Sequence, residues 1–169
     1  MLAAGAEIMR IYAPALGKLY WGARGEGAFM ATIENEVMGP SRPIRVRLPS
    51  PEGLSAVSSR SHGGAETQGY LEAFKVRDFV SAGSSLKFCL IAEGAADIYP
   101  RMGRTMEWDT AAGDAVLRAA GGRVETLDRC ALAYGNAAAP KTPTSPIRIS
   151  SPSAIPVSRN TDRLVFLNP

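Results

Sequence analysis

The 169 residues are 46% apolar and 21% charged, enough for one sizeable core and ordinary for a globular chain. The net charge of +3 comes from scattered Lys and Arg rather than a basic patch, which argues against a nucleic-acid groove. No apolar run approaches the roughly 18–20 residues of a bilayer span, and MLAAGAEIMRIYAPA, with its early glutamate and no basic start, does not read as a signal peptide.

Residues 7–47 read as antiparallel β structure. EIMRIYAPA and KLYWGA are separated by a Pro-Ala-Leu-Gly turn, and RGEGAFMAT follows with glycines at its bend. PIRVR alternates apolar and basic residues as a half-exposed strand does. After Pro51 the pattern changes to alternating elements. LSAVSSR is a strand, a helix is predicted around Glu66–Lys75, and KVRDFVSAG is a strand again. SSLKFCLIAEG sets Leu86, Cys89 and Leu90 on one helical face and stops at Gly94. ADIYPR is the next strand. The predicted fold class is therefore α/β, an N-terminal antiparallel β-meander followed by an alternating α/β sheet layer.

Composition divides the chain into a meander over 1–50 and an α/β subdomain over 51–136. A Pro/Ser-rich stretch over 137–160, AAAPKTPTSPIRISSPSAIPVSRN, is expected to be flexible, and 161–169 form a strand-like tail. The cysteines, Cys89 and Cys130, lack metal-ligand spacing and read as a reduced pair, which fits a cytoplasmic protein.

The most informative stretch is WDTAAGDAVLRAAGG. Asp109 stands where a helix N-cap belongs, and Gly121 and Gly122 stand where a C-terminal glycine belongs, with Ala112, Ala115, Val116 and Ala119 expected inside. A capped amphipathic helix is a sufficient account of that pattern. The first turn, Thr110-Ala111-Ala112-Gly113, is also unusually small, so an anion could reach the free amides and the positive end of the helix dipole. A carboxylate beside a bound phosphate calls for a cation between them, and Mg²⁺ is the hard, oxygen-preferring candidate.

GSSLKFCLIAEGAADIYPRMGRTMEWDTAAG resembles the second signature of the inositol monophosphatase superfamily, in particular its CysQ-type 3'(2'),5'-bisphosphate nucleotidases. VSSRSH, IYAPALGKLYWGARGEGAF and the terminal FLNP fall in the family's order, so the resemblance covers roughly residues 8–135 and the last few. It implies part of an αβαβα sandwich and a Mg²⁺-dependent phosphomonoesterase that converts 3'-phosphoadenosine 5'-phosphate to AMP and phosphate. Asp109 matches the metal-binding aspartate, which also lies near substrate. Ser84, Lys87, Arg101 and His62 match positions that contact the phosphorylated nucleotide. Glu107 and Asp97 are left without a role.

The family's Asp-Pro-x-Asp-Gly-Thr stretch and its upstream acidic pair do not occur in this sequence. Asp109 alone cannot hold a pair of Mg²⁺ ions. The chain is therefore expected to be N-terminally shortened relative to the family, to bind Mg²⁺ weakly, and to be inactive or impaired by itself. An uncovered meander face should favour self-association. The rival readings are an inositol-phosphate phosphatase of the same superfamily, a non-catalytic nucleotide- or phosphate-binding fragment, and a fragment that binds nothing.

Overall fold

The computed structural model describes residues 8–59, 64–103, 105–127, 129–134 and 147–150. The chain opens with β1 (Ile8–Ala13), β2 (Lys18–Ala23) and β3 (Gly27–Glu34), paired antiparallel in order. The two-residue β4 (Val37–Met38) and β5 (Arg42–Ile44) both pair with β3. Between β1 and β2, Pro14–Leu16 form a single 3-10 turn closed by Gly17. That glycine has φ +56, and a Cβ on it would stand 2.7 Å from the Ile33 carbonyl oxygen, so the position accepts glycine alone.

The second sheet contains β6 (Leu54–Ser59), β7 (Val76–Ala82), β8 (Ile98–Arg101), β9 (Arg123–Thr126) and β10 (Ile147–Ser150), in the order β7-β6-β8-β10-β9. β6 runs parallel to β7 and β8, whereas β10 is antiparallel to both its neighbours. Three helices accompany these strands: α1 (Ala65–Leu71), α2 (Leu86–Ala92) and α3 (Glu107–Ala119).

Alternation along the strands sorts the layers. Leu54, Ala56 and Ile98 point to one face of the second sheet, where Leu71 of α1 closes a small core. Val57, Ala82, Tyr99 and Val124 belong to the larger core, with Phe88, Cys89 and Ile91 of α2 and Val116 and Leu117 of α3. Tyr20, Ala28, Met30 and Ile44 complete that core from the first sheet. The order of layers is thus α1, second sheet, α2 with α3, first sheet. Gly22 permits the last contact, since a Cβ there would stand 2.8 Å from the Ala119 Cβ. The outer face of the first sheet carries Trp21 stacked on Phe29 at 5.9 Å, with Tyr12 52% exposed beside them.

Several sequence expectations shift. The strand expected over PIRVR ends at Ile44, because the next stretch leaves the sheet and Val46 donates its N–H to the Ala120 carbonyl at the end of α3. The inward face of α3 is Thr110, Gly113, Asp114, Val116 and Leu117, while Ala112, Ala115 and Ala119 are only half-buried. At the helix end the glycine reading holds. Gly121 has φ +88 and donates to the Arg118 carbonyl, and Gly122 donates to that of Leu117, a Schellman closure.

The stretch expected to be flexible over 137–160 needs correction at Ile147–Ser150. Those residues form β10, because hydrogen bonds to β8 on one side and β9 on the other satisfy the backbone from both edges. The tail over 161–169 lies outside the described residues, and no helix among those described is long and apolar enough to cross a membrane.

Candidate functional site

Three chain segments converge at one edge of the α2–α3 layer: the turn into α2, the end of β8, and the first turn of α3. Ser84 sits in that turn with φ 51, exposed, and Ser85 is the N-cap of α2. The Ser85 hydroxyl donates to the Asp109 carbonyl oxygen at 3.2 Å, which ties the start of α2 to the start of α3.

Asp109 is not the N-cap of α3. Met106 holds that position, in extended conformation, and Asp109 is the third helical residue. Its carboxylate reaches back to accept the Met106 N–H at 3.3 Å, the acidic arm of a capping box. Asp109 therefore faces solvent beside the helix's N-terminal end, where its charge is favoured by the dipole. Thr110 turns inward, and its hydroxyl donates to the carbonyls of Met106 and Glu107 at 3.3 and 3.2 Å.

Lys87 is only 3% exposed, a burial rarely tolerated by a lysine without compensation. Part of the compensation is aromatic: its ammonium lies 5.1 Å from the centroid of Tyr99. Arg101, two residues along β8, donates from Nη1 to the Tyr99 hydroxyl at 3.4 Å. Burial pushes the Tyr99 hydroxyl's pKa up, and the Arg101 hydrogen bond pulls part of the way back. Two cationic side chains thus share one tyrosine at the end of a strand, and the Phe88 ring meets Tyr99 edge-on at 6.3 Å.

Of the residues expected to form the site, Ser84, Lys87, Arg101 and Asp109 lie on these three segments, and Lys87 and Arg101 are joined through Tyr99. His62 lies outside the described residues. Sequence reasoning overlooked Ser85 and Tyr99. Ser85 was legible only as the twin of Ser84, and Tyr99 only as the inward alternate of ADIYPR.

Asp97, which had no role, is a structural anchor. It is fully buried, accepts Nε and Nη2 of Arg47 at 2.8 and 2.9 Å, and accepts the Ser55 N–H at 2.7 Å. Glu93 does the same at the far end of α2, receiving Lys18 and the buried Tyr20 hydroxyl, each at 3.2 Å. Burial, then the Glu93 charge, push the Tyr20 pKa upward. Glu93 thus ties the C-terminal end of α2 to the first sheet, and Asp97, in the loop that follows, ties that loop to β6 and to Arg47.

Among the described residues, no group of three or more His, Cys, Asp or Glu side chains is placed to hold a metal ion. Asp109 contributes one carboxylate, already engaged by Met106. Mg²⁺ takes octahedral oxygen coordination, so the described residues do not by themselves make up its site.

Comparison with known proteins bears on the family and the fold. Residues 7–149 match the inositol monophosphatase family model. The 3'(2'),5'-bisphosphate nucleotidase CysQ of Escherichia coli K12 is 45% identical over 114 residues, 68% of this chain and 43% of that protein. An uncharacterized protein in the pss 5'region of Rhizobium leguminosarum bv. phaseoli is 77% identical over 53 residues, 31% of this chain and 56% of that protein. Among solved structures, CysQ from Bacteroides thetaiotaomicron superposes with TM-score 0.70 and 34% identity, over 85% of this chain and 57% of that one. The chain spans about half the length of the relatives it matches. The Glu-Trp-Asp-Thr-Ala-Ala-Gly helix start, the sheet pair around α2 and α3, and the match over 7–149 lead to one conclusion: this chain belongs to the inositol monophosphatase family.

Proposed function

We propose that this chain forms the substrate side of a CysQ-like phosphomonoesterase acting on a 3'(2'),5'-bisphosphate nucleotide, with 3'-phosphoadenosine 5'-phosphate as the substrate and AMP and phosphate as products. The observation that carries the reading is the Lys87–Tyr99–Arg101 cluster beside the first turn of α3. A bisphosphate needs cations for more than one phosphate, and a buried ammonium binds an anion more strongly than an exposed one because water screens it less. Lys87 and Arg101 would hold phosphate oxygens. Ser84 would donate a hydrogen bond, and His62 would line the nucleotide site. The N-terminal end of α3 would face the phosphate that lies nearest Asp109.

Mg²⁺ supplies the Lewis acidity and the activated water in such phosphatases, and Asp109 is the carboxylate we assign to it. One carboxylate does not make that site, so we assign to this chain by itself nucleotide binding with little or no turnover.

Calorimetry of the chain with adenosine 3',5'-bisphosphate, AMP and inositol 1-phosphate, with and without Mg²⁺, tests the proposal alongside an assay for released phosphate. Binding of the bisphosphate in preference to the inositol ester, with only trace release, is the expected result. Preference for the inositol ester would overturn the substrate. Brisk release by the chain alone would overturn the assignment of impaired activity.

A further inference from the structure

Tyr99 is almost fully buried, so the donor and acceptor capacities of its hydroxyl both call for partners. A phenol offers one proton and accepts through its oxygen. Arg101 takes the accepting side: its Nη1 donates to Tyr99 Oη at 3.4 Å, and a guanidinium can accept nothing in return. The Tyr99 proton is then given to no acceptor among the described residues. Tyr20 shows the satisfied alternative in the same core, where a buried hydroxyl donates to the Glu93 carboxylate at 3.2 Å.

The surroundings of Tyr99 select the kind of acceptor. The Lys87 ammonium lies 5.1 Å from the ring centroid and Arg101 sits on the oxygen itself, so an acceptor arriving there is favoured if it is negatively charged. Donation from Arg101 also polarises the phenol and strengthens it as a donor. Burial keeps the hydroxyl protonated near neutral pH against the pull of Arg101, so the proton is present to be given. We propose that Tyr99 Oη–H donates directly to an oxygen of the bound phosphoryl group, which makes Tyr99 a binding residue beside Lys87 and Arg101. The assignment rests on the substrate-side reading above and adds a neutral donor to its two cations. Ammonium and guanidinium groups attract an anion from a broad range of directions. A single O–H held by Arg101 asks for an acceptor oxygen along one line, so it fixes orientation.

Calorimetry with adenosine 3',5'-bisphosphate reads the bond. Tyr99→Phe keeps the ring that Lys87 and Phe88 pack against and removes only the hydroxyl, so it should weaken binding about tenfold. Tyr12→Phe, on the outer face of the first sheet, should bind as the parent does. A second readout leaves the hydroxyl in place. In chains carrying 3-fluorotyrosine at all five tyrosines, the fluorine signals are assigned by single tyrosine-to-phenylalanine substitutions. The Tyr99 signal should shift on adding the bisphosphate and stay in place on adding adenosine. Wild-type binding that Tyr99→Phe leaves unchanged overturns this inference alone, as does a Tyr99 signal that stays put while the bisphosphate binds. A wild-type chain that binds no bisphosphate overturns the substrate-side reading and this inference with it.

Discussion

Gly113 of α3 lies so close to Phe88 of α2 that a Cβ on the glycine would stand 2.5 Å from the ring's Cγ. The ring cannot easily yield, because it is buried and meets Tyr99 edge-on. The distance between the two helices that carry Ser85 and Asp109 is therefore set by the absence of one methyl group.

Gly113→Ala should lower stability. Alanine gains about 1 kcal/mol of helix propensity over glycine, but overpacking a tight contact costs about 1–3 kcal/mol. Gly69, in α1, is the control: no heavy atom lies within 4 Å of its virtual Cβ, so Gly69→Ala should stabilise by about 0.5–1 kcal/mol. Urea unfolding of both variants checks the pair. If Gly113→Ala gains stability as Gly69→Ala does, the contact is not the constraint described.

The two thiols should differ sharply in reactivity. Cys89 is fully buried, and burial followed by the Glu93 charge pushes its pKa up to about 12, so little thiolate forms near neutral pH. Cys130 is exposed. Iodoacetamide at mildly alkaline pH, followed by peptide mass spectrometry, should find Cys130 alkylated first. Cys89 should react only as the chain unfolds. Equal labelling of both in the native chain would contradict the packing of α2.

Arg47 and Asp97 should behave as one unit. Removing either leaves the other's charge partly or wholly buried without its partner, at a cost of about 3–5 kcal/mol. Asp97→Ala and Arg47→Ala should each destabilise strongly, and the double variant should lose much less than their sum, with the coupling measured by a double-mutant cycle. Additive losses would mean that the ion pair is not what holds the Arg47 strand-exit to β8.

Local pattern carried much of this architecture. KLYWGA and RGEGAFMAT form β2 and β3 at the expected places, and the glycines after Ala120 end α3 as their φ freedom predicts. Tertiary partners decided the rest. Asp109 looked like an N-cap because aspartate favours that position, yet it reaches back equally well from the third position, and Met106 took the cap. β10 was hidden in a Pro/Ser-rich stretch because its stability comes from strands on both sides rather than from its own composition. The residues expected to form the site were named through resemblance alone. Nothing in the chain's own pattern marks Lys87 as buried against Tyr99, or joins Arg47 to Asp97 across fifty residues.

Asp114 gives the fold a pH dependence that runs opposite to the usual carboxylate. It is 2% exposed on α3, with Arg118 Nε at 2.6 Å and the other arm of Arg118 bonded to the Leu132 carbonyl at 2.9 Å. Burial raises its pKa above the ordinary 3.8, and the hydrogen bond and charge of Arg118 offset only part of that rise. The native state thus holds this proton more tightly than the unfolded chain. Stability from Asp114 is complete below its unfolded pKa and is lost as pH rises through the folded one. Asp78 works the other way: hydrogen bonds from Ser55 and Arg77 lower its pKa, so its share is present above the ordinary value and lost as pH falls. Comparing wild type with Asp114→Asn cancels the Asp78 share, which both chains carry. The difference in unfolding free energy, wild type minus variant, should shrink as pH rises from about 4 toward neutrality and level off once the native carboxyl has ionised. Parallel pH profiles for the two chains would show that Asp114 ionises in the fold as freely as it does in water.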